Sequence, residues 1–334
     1  MYEHPFHNQP LEGLSFLVTG GAGFIGSNLV EYLLKYKAGK VRVLDNYSNG
    51  FPKNVRQFLD NPNFELVEGD IRDPETCNRA CVGIDIVLHQ AALGSVPRSI
   101  KDPATSNNVN IGGFVNMLVA AKDQQVKRFV YAASSSTYGD SKALPKVEDK
   151  IGKPLSPYAV TKYANELYAD VFGKTYGMEI IGLRYFNIFG PRQDPNGAYA
   201  AVIPLFIDAV MKNQPPKMNG DGGQTRDFTF VENCVQANIK AALVDDPEAI
   251  NQVYNIAVGD RTSLNDLFNI LKEEAKADIE PVYGPDRAGD IRDSLADISK
   301  AKNLLGYNPQ VRIREGLQKT YQWFLNNQEF IYNN

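Results

Sequence analysis

From residue 14 to about 190, short β-branched runs alternate with longer stretches whose apolar residues recur every three or four positions. Strands buried on both faces and helices buried on one produce that rhythm, so it predicts a parallel sheet wrapped by helices. The expected strands are Leu14 to Thr19, Lys40 to Asp45, Phe64 to Glu68, Ile84 to Gln90, Arg128 to Ala133 and Glu179 to Tyr185. Helices are expected over Phe24 to Lys37, Ala104 to Asp123 and Pro157 to Tyr176; the last opens on Ser156-Pro157 and ends at Gly177, start and stop signals at both ends. Past residue 190 the rhythm breaks at Gly190-Pro191, Pro195-Asn196-Gly197, Pro215-Pro216 and Asn219 to Gly223, where a smaller, loop-rich unit is expected. The strand pattern returns at Val253 to Ala257, so the two units should interleave. The division expected is 1–186 with a returning segment near 229–262, against 187–228 with 263–334.

Composition narrows the class. The 334 residues suffice for about two domains. Hydrophobic residues at 43% and charged residues at 22% exclude a disordered or fibrous chain. With 35 basic and 39 acidic side chains the net charge is −4, so no diffuse basic field awaits a nucleic acid or an anionic membrane, and any anionic ligand must be held locally. No apolar run approaches the ~20 residues of a membrane span, and Met1 to Gly13 lacks the order of a secretion signal, so a cytoplasmic protein is expected. Cys77, Cys81 and Cys234 form no CxxC pair; neither a disulfide framework nor a metal site is expected.

Directly after the first strand comes Gly20-Gly21-Ala22-Gly23-Phe24-Ile25-Gly26, opening a helix. Glycines at that spacing let the backbone turn tightly and bring the N–H groups and positive end of a helix against a pyrophosphate. Asp45 ends the second strand 19 residues beyond Gly26, near the spacing at which a carboxylate meets an adenosine ribose; it would repel a 2′-phosphate, which favours NAD over NADP. Asn46, Asp70-Ile71 and Gln90-Ala91-Ala92 fall on the same carboxyl edge and are expected beside the adenosine. His89, in an apolar strand, reads as packing. The fold expected is thus α/β, a Rossmann-type doubly wound parallel sheet with a smaller α/β substrate-binding domain.

A second constellation is Tyr158-Ala159-Val160-Thr161-Lys162 near the start of a helix, where positions four apart share a face. An adjacent ammonium would favour the phenolate and lower the tyrosine pKa toward useful acid/base chemistry. Ser134-Ser135-Ser136-Thr137-Tyr138-Gly139 leaves the fifth strand at the same carboxyl edge, with hydroxyls able to hold a substrate oxygen.

These motifs, with Leu183-Arg184-Tyr185-Phe186-Asn187, occur in the order of the extended short-chain dehydrogenase/reductases, and from residue 15 to about 310 the chain resembles their nucleotide-sugar 4-epimerases. Gly94-Ser95-Val96-Pro97-Arg98-Ser99 and Ala198-Tyr199-Ala200-Ala201-Val202 are similar to substrate loops of the subgroup acting on N-acetylated sugars, the UDP-N-acetylglucosamine 4-epimerases. The resemblance implies Tyr158 as acid/base, Lys162 on the nicotinamide ribose and Ser134 on the sugar 4-oxygen, with Ser135 or Ser136 open because the serine run blurs the register. It implies that Asn107, Phe186 and the turn Gly20 to Gly26 touch NAD, and that Gly94, Ser95, Asn187, Ala201, Val202, Arg226 and Arg287 touch the UDP-sugar. Ser294, seven residues after Arg287, corresponds to a wall position that is a bulky tyrosine in epimerases restricted to non-acetylated sugars; serine leaves room for an acetamido group. Dehydratases and decarboxylases of the family carry acids just after the aligned hydroxyl; Ser135 and Ser136 stand there instead, which leaves epimerisation.

A UDP-N-acetylhexosaminuronic acid, whose 6-carboxylate Arg98 could meet, and UDP-glucose or galactose are the rival substrates. The rival classes are a non-catalytic NAD-binding regulator and a dehydrogenase that releases its keto product. The resemblance further implies a homodimer built on the helices Ala104 to Asp123 and Pro157 to Tyr176, with Tyr168, Val171 and Phe172 as candidates for its face.

Overall fold

A computed structural model describes residues 1–197, 200–285 and 292–332. Seven strands form one parallel sheet: β1 (Ser15–Thr19), β2 (Lys40–Asp45), β3 (Phe64–Glu68), β4 (Ile86–His89), β5 (Arg128–Ser134), β6 (Glu179–Tyr185) and a seventh, Val253–Ile256. Their order across the sheet is 3-2-1-4-5-6-7, so the chain reverses direction between β1 and β4, where an open sheet leaves a ligand crevice at its carboxyl edge. Buried apolar layers cover both faces. On one, Leu29, Val30 and Leu33 of helix α1 (Phe24–Lys35) pack with Phe16, Val41 and Ile181; on the other, Phe114, Met117 and Leu118 pack with Val87, Phe129 and Ile180.

The helix Pro157–Tyr176 forms as its end signals require. Ser156 Oγ accepts from Ala159 N at 3.2 Å, Pro157 fills the first helical position, and Gly177 closes the helix at φ +68°. The helix expected over Ala104 to Asp123 is instead three pieces, Pro103–Asn107, a π-helical segment Asn108–Gly113 and Phe114–Asp123. The wider winding turns Asn110 inward, where it accepts from Leu93 N at 2.7 Å and donates to Leu93 O and Thr161 Oγ1.

The second unit, the cap, has its own core of Phe189, Ile203, Phe206, Leu267, Phe268, Leu317 and Phe324. Interleaving extends further than expected. Besides the seventh strand, Ala296, Ile298, Ala301, Leu305 and Tyr307 join the sheet core, so a segment assigned to the cap within 263–334 belongs with the sheet. Asp227 staples the seam: its buried carboxylate accepts from Val258 N, Gly259 N and Ala296 N, and burial pushes its pKa up to about 6.

Candidate active site

Two connected chambers lie along the carboxyl edge. The smaller, about 520 Å³ of free space, is lined by Gly20, Gly23, Asp45, Asn46, Asp70, Ile71, Gln90, Ala91 and Ala92, together with Ser48, Asn49 and Val109. Its foundation is the glycine turn. Gly20 has φ +68°, and a Cβ on Gly26 would stand 2.1 Å from the Gly20 carbonyl oxygen, so α1 can start this close to β1 only without side chains there. No side chain caps α1 at Gly23, and Phe24, Ile25 and Gly26 line the larger chamber, so the helix presents its first-turn N–H groups to the cleft. Asp45 is held by Ala22 N and Tyr47 N at 2.8 Å each, while burial keeps its carboxyl above the ordinary value. Asp70, gripped by Arg72 and bonded by Asn46 Nδ2 at 2.8 Å, titrates down at about 2. A helix end with free N–H groups and a fixed acid lining one chamber fit a dinucleotide; these residues would hold NAD, which supplies hydride acceptance and return.

The larger chamber, about 1620 Å³ of free space, runs from the glycine turn to the cap and contains Ser134, Ser135, Tyr158, Lys162, Tyr185 and Asn187. Ser134 ends β5 and is the hydroxyl that shares a hydrogen bond with Tyr158. Ser136 turns back, its N and Oγ both donating to Ser134 Oγ at 3.1 and 2.9 Å. Lys162 Nζ lies 5.9 Å from the Tyr158 ring centroid and donates to Ala132 O at 2.7 Å.

Burial, not charge, dominates this pair. It raises the Tyr158 pKa, opposed by the Ser134 hydrogen bond, and lowers Lys162 to about 8. Lys162 and the positive nicotinamide would both favour the phenolate; in the chain by itself, desolvation sets the direction and holds the phenol up. At the chamber wall, Tyr185 Oη, Gln90 and the buried Asn238 form a hydrogen-bonded triangle that fixes Gln90. His89 is the packed residue it resembled, bonded to Thr19 Oγ1 at 2.9 Å and depressed by burial to about 3.

Gly94, Ser95 and Ala201 line the larger chamber. Others do not reach either chamber. Asn107 is exposed at a helix end, and Asn110 is the inward residue of that run. Phe186 is wholly buried in the sheet core against Tyr138, because alternation along the chain leaving β6 points its ring inward. Val202 begins the helix Val202–Met211 behind Ala201. Arg226 turns its guanidinium to the carbonyls of Thr225 and Arg292, and Ser294 sits beside it with its N on Thr225 O at 3.1 Å. Arg287 lies outside the described residues, as do Ala198 and Tyr199. Phe172, offered for an outer face, is buried in the core, whereas Tyr168 and Val171 are exposed.

Sequence reasoning missed Asn49, Tyr185, Gln193 and Asp194 as chamber residues. Tyr185 had a signal, its place at the end of β6; the others stand in turns whose direction only the fold sets.

A model of the NAD dependent epimerase/dehydratase family matches residues 16–257. The chain is similar to a UDP-glucose 4-epimerase of Thermotoga maritima solved with UDP-glucose, at 37% identity and TM-score 0.88 over 95% of this chain and 100% of that one. It is similar to a UDP-N-acetylglucosamine 4-epimerase of Methanobrevibacter ruminantium M1, at 38% identity and TM-score 0.88 over 94% and 99%. A third likeness is to a UDP-glucose 4-epimerase of Thermus thermophilus in complex with NAD, at 33% identity and TM-score 0.84 over 93% and 99%. The glycine turn, the edge acid and the Ser-Tyr-Lys cluster thus stand in a chain that belongs to the NAD-dependent epimerase/dehydratase family and is an NAD-dependent enzyme.

Proposed function

We propose that the protein is a UDP-sugar 4-epimerase that interconverts UDP-N-acetylglucosamine and UDP-N-acetylgalactosamine. The observation that supports the substrate is the number of small residues among those lining the larger chamber: Gly94, Ser95, Ser135, Gly197, Ala200 and Ala201, none larger than a hydroxymethyl group, leave room for an acetamido substituent beside Asn187, Ile188, Gln193 and Asp194. Ser294 lines neither chamber, but the resemblance aligns it with a wall position that is tyrosine in epimerases restricted to non-acetylated sugars, and a serine there acts in the same sense. Tyr158 takes the 4-hydroxyl proton and later returns it, while Ser134 holds the 4-oxygen and the phenol in one hydrogen-bonded chain. Lys162, behind the ring, supports the phenolate and takes the nicotinamide ribose. The 4-keto sugar must present both faces in turn, so the UDP portion is gripped from the cap side, where Asn187 and Ala201 line the chamber, and the sugar is left room. Dehydration is disfavoured because Ser135 and Ser136 follow Ser134, and Asp194, the carboxylate among the described residues lining this chamber, comes from the cap.

Product analysis with UDP-N-acetylglucosamine, UDP-glucose and UDP-glucuronic acid side by side tests the reading. It expects the N-acetylated sugar to turn over fastest, with no net gain in reduced-nicotinamide absorbance; preference for the uronic acid, or accumulating reduced cofactor, overturns it.

A second reading concerns assembly. Val160, Leu167, Tyr168 and Val171 are 42–53% exposed on one face of the helix Pro157–Tyr176, an apolar stripe that fits a homodimer. Sedimentation should give a dimer, and Leu167→Asp a monomer. No helix among the described residues is long and apolar enough to cross a membrane.

A further inference from the structure

The two chambers meet at a waist. Gly20, Gly23, Asn49, Gln90 and Ala92 line both. Across it Arg98 Nη1 donates to Asn49 Oδ1 at 2.5 Å, joining the loop after β2 to the loop after β4. Both anchors are built into the fold. At the Asn49 end, a Cβ on Gly50 would stand 2.8 Å from the Ala22 carbonyl carbon, and Phe51 N and Asn54 Nδ2 both donate to Ala22 O, which pins this loop to the glycine turn. At the Arg98 end, Ser95 takes φ +93°, a conformation costly for a residue with a side chain, and its Oγ accepts from Arg98 N to start the short helix Val96–Lys101. The next residue, Ser99, accepts from Tyr158 N at 3.0 Å. One chain of contacts therefore runs from the glycine turn, over the waist, to the backbone of the catalytic tyrosine.

Charge gives this bridge a purpose. Among the described residues lining the two chambers, the cations are Arg98 and Lys162. Lys162 is committed beside Tyr158 and the Ala132 carbonyl. A dinucleotide laid along this edge puts its pyrophosphate at the start of α1, beside Gly23, where two negative charges meet helix N–H groups. We propose that Arg98, held by Asn49, is a cofactor-retaining residue whose guanidinium pairs with the NAD pyrophosphate and keeps the dinucleotide in place through turnover. Planar, forked donors suit that partner. A 4-epimerase that must return the same hydride gains from a cofactor that does not leave between the two transfers.

The test follows exchange of bound NAD for isotopically labelled NAD in the intact holoenzyme, with no sugar present. Arg98→Ala is expected to speed exchange roughly tenfold or more, the scale of losing a charge-assisted hydrogen bond. Arg98→Lys should fall between it and the parent. Asn49→Ala should accelerate exchange less, and the double variant no more than Arg98→Ala, because Asn49 acts through Arg98. The contacts of both side chains across the waist are exposed, and melting curves unchanged within a few degrees will show that the variants fold. Unchanged exchange in Arg98→Ala overturns the proposal. So does unchanged exchange with selectively weakened binding of UDP or UDP-glucuronic acid, which would assign Arg98 to the sugar nucleotide. Additive acceleration in the double variant overturns the role given to Asn49. Because the readout is NAD exchange, it stands apart from which sugar the enzyme prefers.

Discussion

At the cofactor end of the cleft the decisive walls are main chain: side chains on Gly20 or Gly26 would collide with the backbone of Ala91 and of Gly20 respectively, and Asp45 is fixed by two backbone amides. At the sugar end the walls are short side chains on loops, Gly94, Ser95, Ala200 and Ala201, with open space between them. The first end is specified by what cannot be inserted, the second by what happens not to fill it. A backbone-built site tolerates almost no substitution, whereas a wall of small side chains can be reshaped one residue at a time. One family can therefore keep its cofactor while its sugar changes.

Substitutions at the two ends should separate accordingly. Gly26→Ala places a methyl 2.1 Å from the Gly20 carbonyl oxygen, so it should abolish NAD retention and lower stability by about 1–3 kcal/mol; normal NAD content after gel filtration would refute the backbone account. Between the ends, Tyr158→Phe should keep bound NAD yet lose turnover by roughly 10²–10⁴-fold, the range for a positioned acid/base group. Activity near the parent level would remove Tyr158 from that role. Ser294→Tyr, at the position the resemblance aligns with the sugar wall, should cut turnover of the N-acetylated substrate by about 10–200-fold while sparing UDP-glucose, and equal loss on both would show that this position does not sort sugars. The smallest effect is on pH. Lys162 titrates at about 8, so its ammonium is present below that value and is lost as pH rises through it. Turnover should fall on the alkaline side, about tenfold per unit once Lys162 is neutral. Lys162→Arg, charged throughout, should flatten that limb even if its maximum is lower.

Much of this organisation was legible in the sequence because it is local. Strand runs, the glycine turn and the helix bounded by Ser156-Pro157 and Gly177 each carry their own signals within a few residues. What was not legible depends on winding or on distant partners. In Asn107-Asn108-Val109-Asn110 three asparagines compete for one inward position, and only the π-helical segment decides for Asn110. Phe172 and Val171 are neighbours of similar character, yet one is core and the other surface, because helix rotation is set by packing against β5 and β6. The Arg98–Asn49 bridge joins residues 49 positions apart, and nothing in either loop names the other.

The crossing of the chain between its two units has a bearing on how the protein is made. The sheet's sixth strand is complete at Tyr185, but the strand that covers its edge, Val253–Ile256, follows only after much of the cap has been translated. Until then a nascent chain presents β6 as an open edge, a template for pairing with another chain. A fragment cut after residue 187 would carry that bare edge permanently. Neither half of this enzyme is a module that evolution or an engineer can lift out intact.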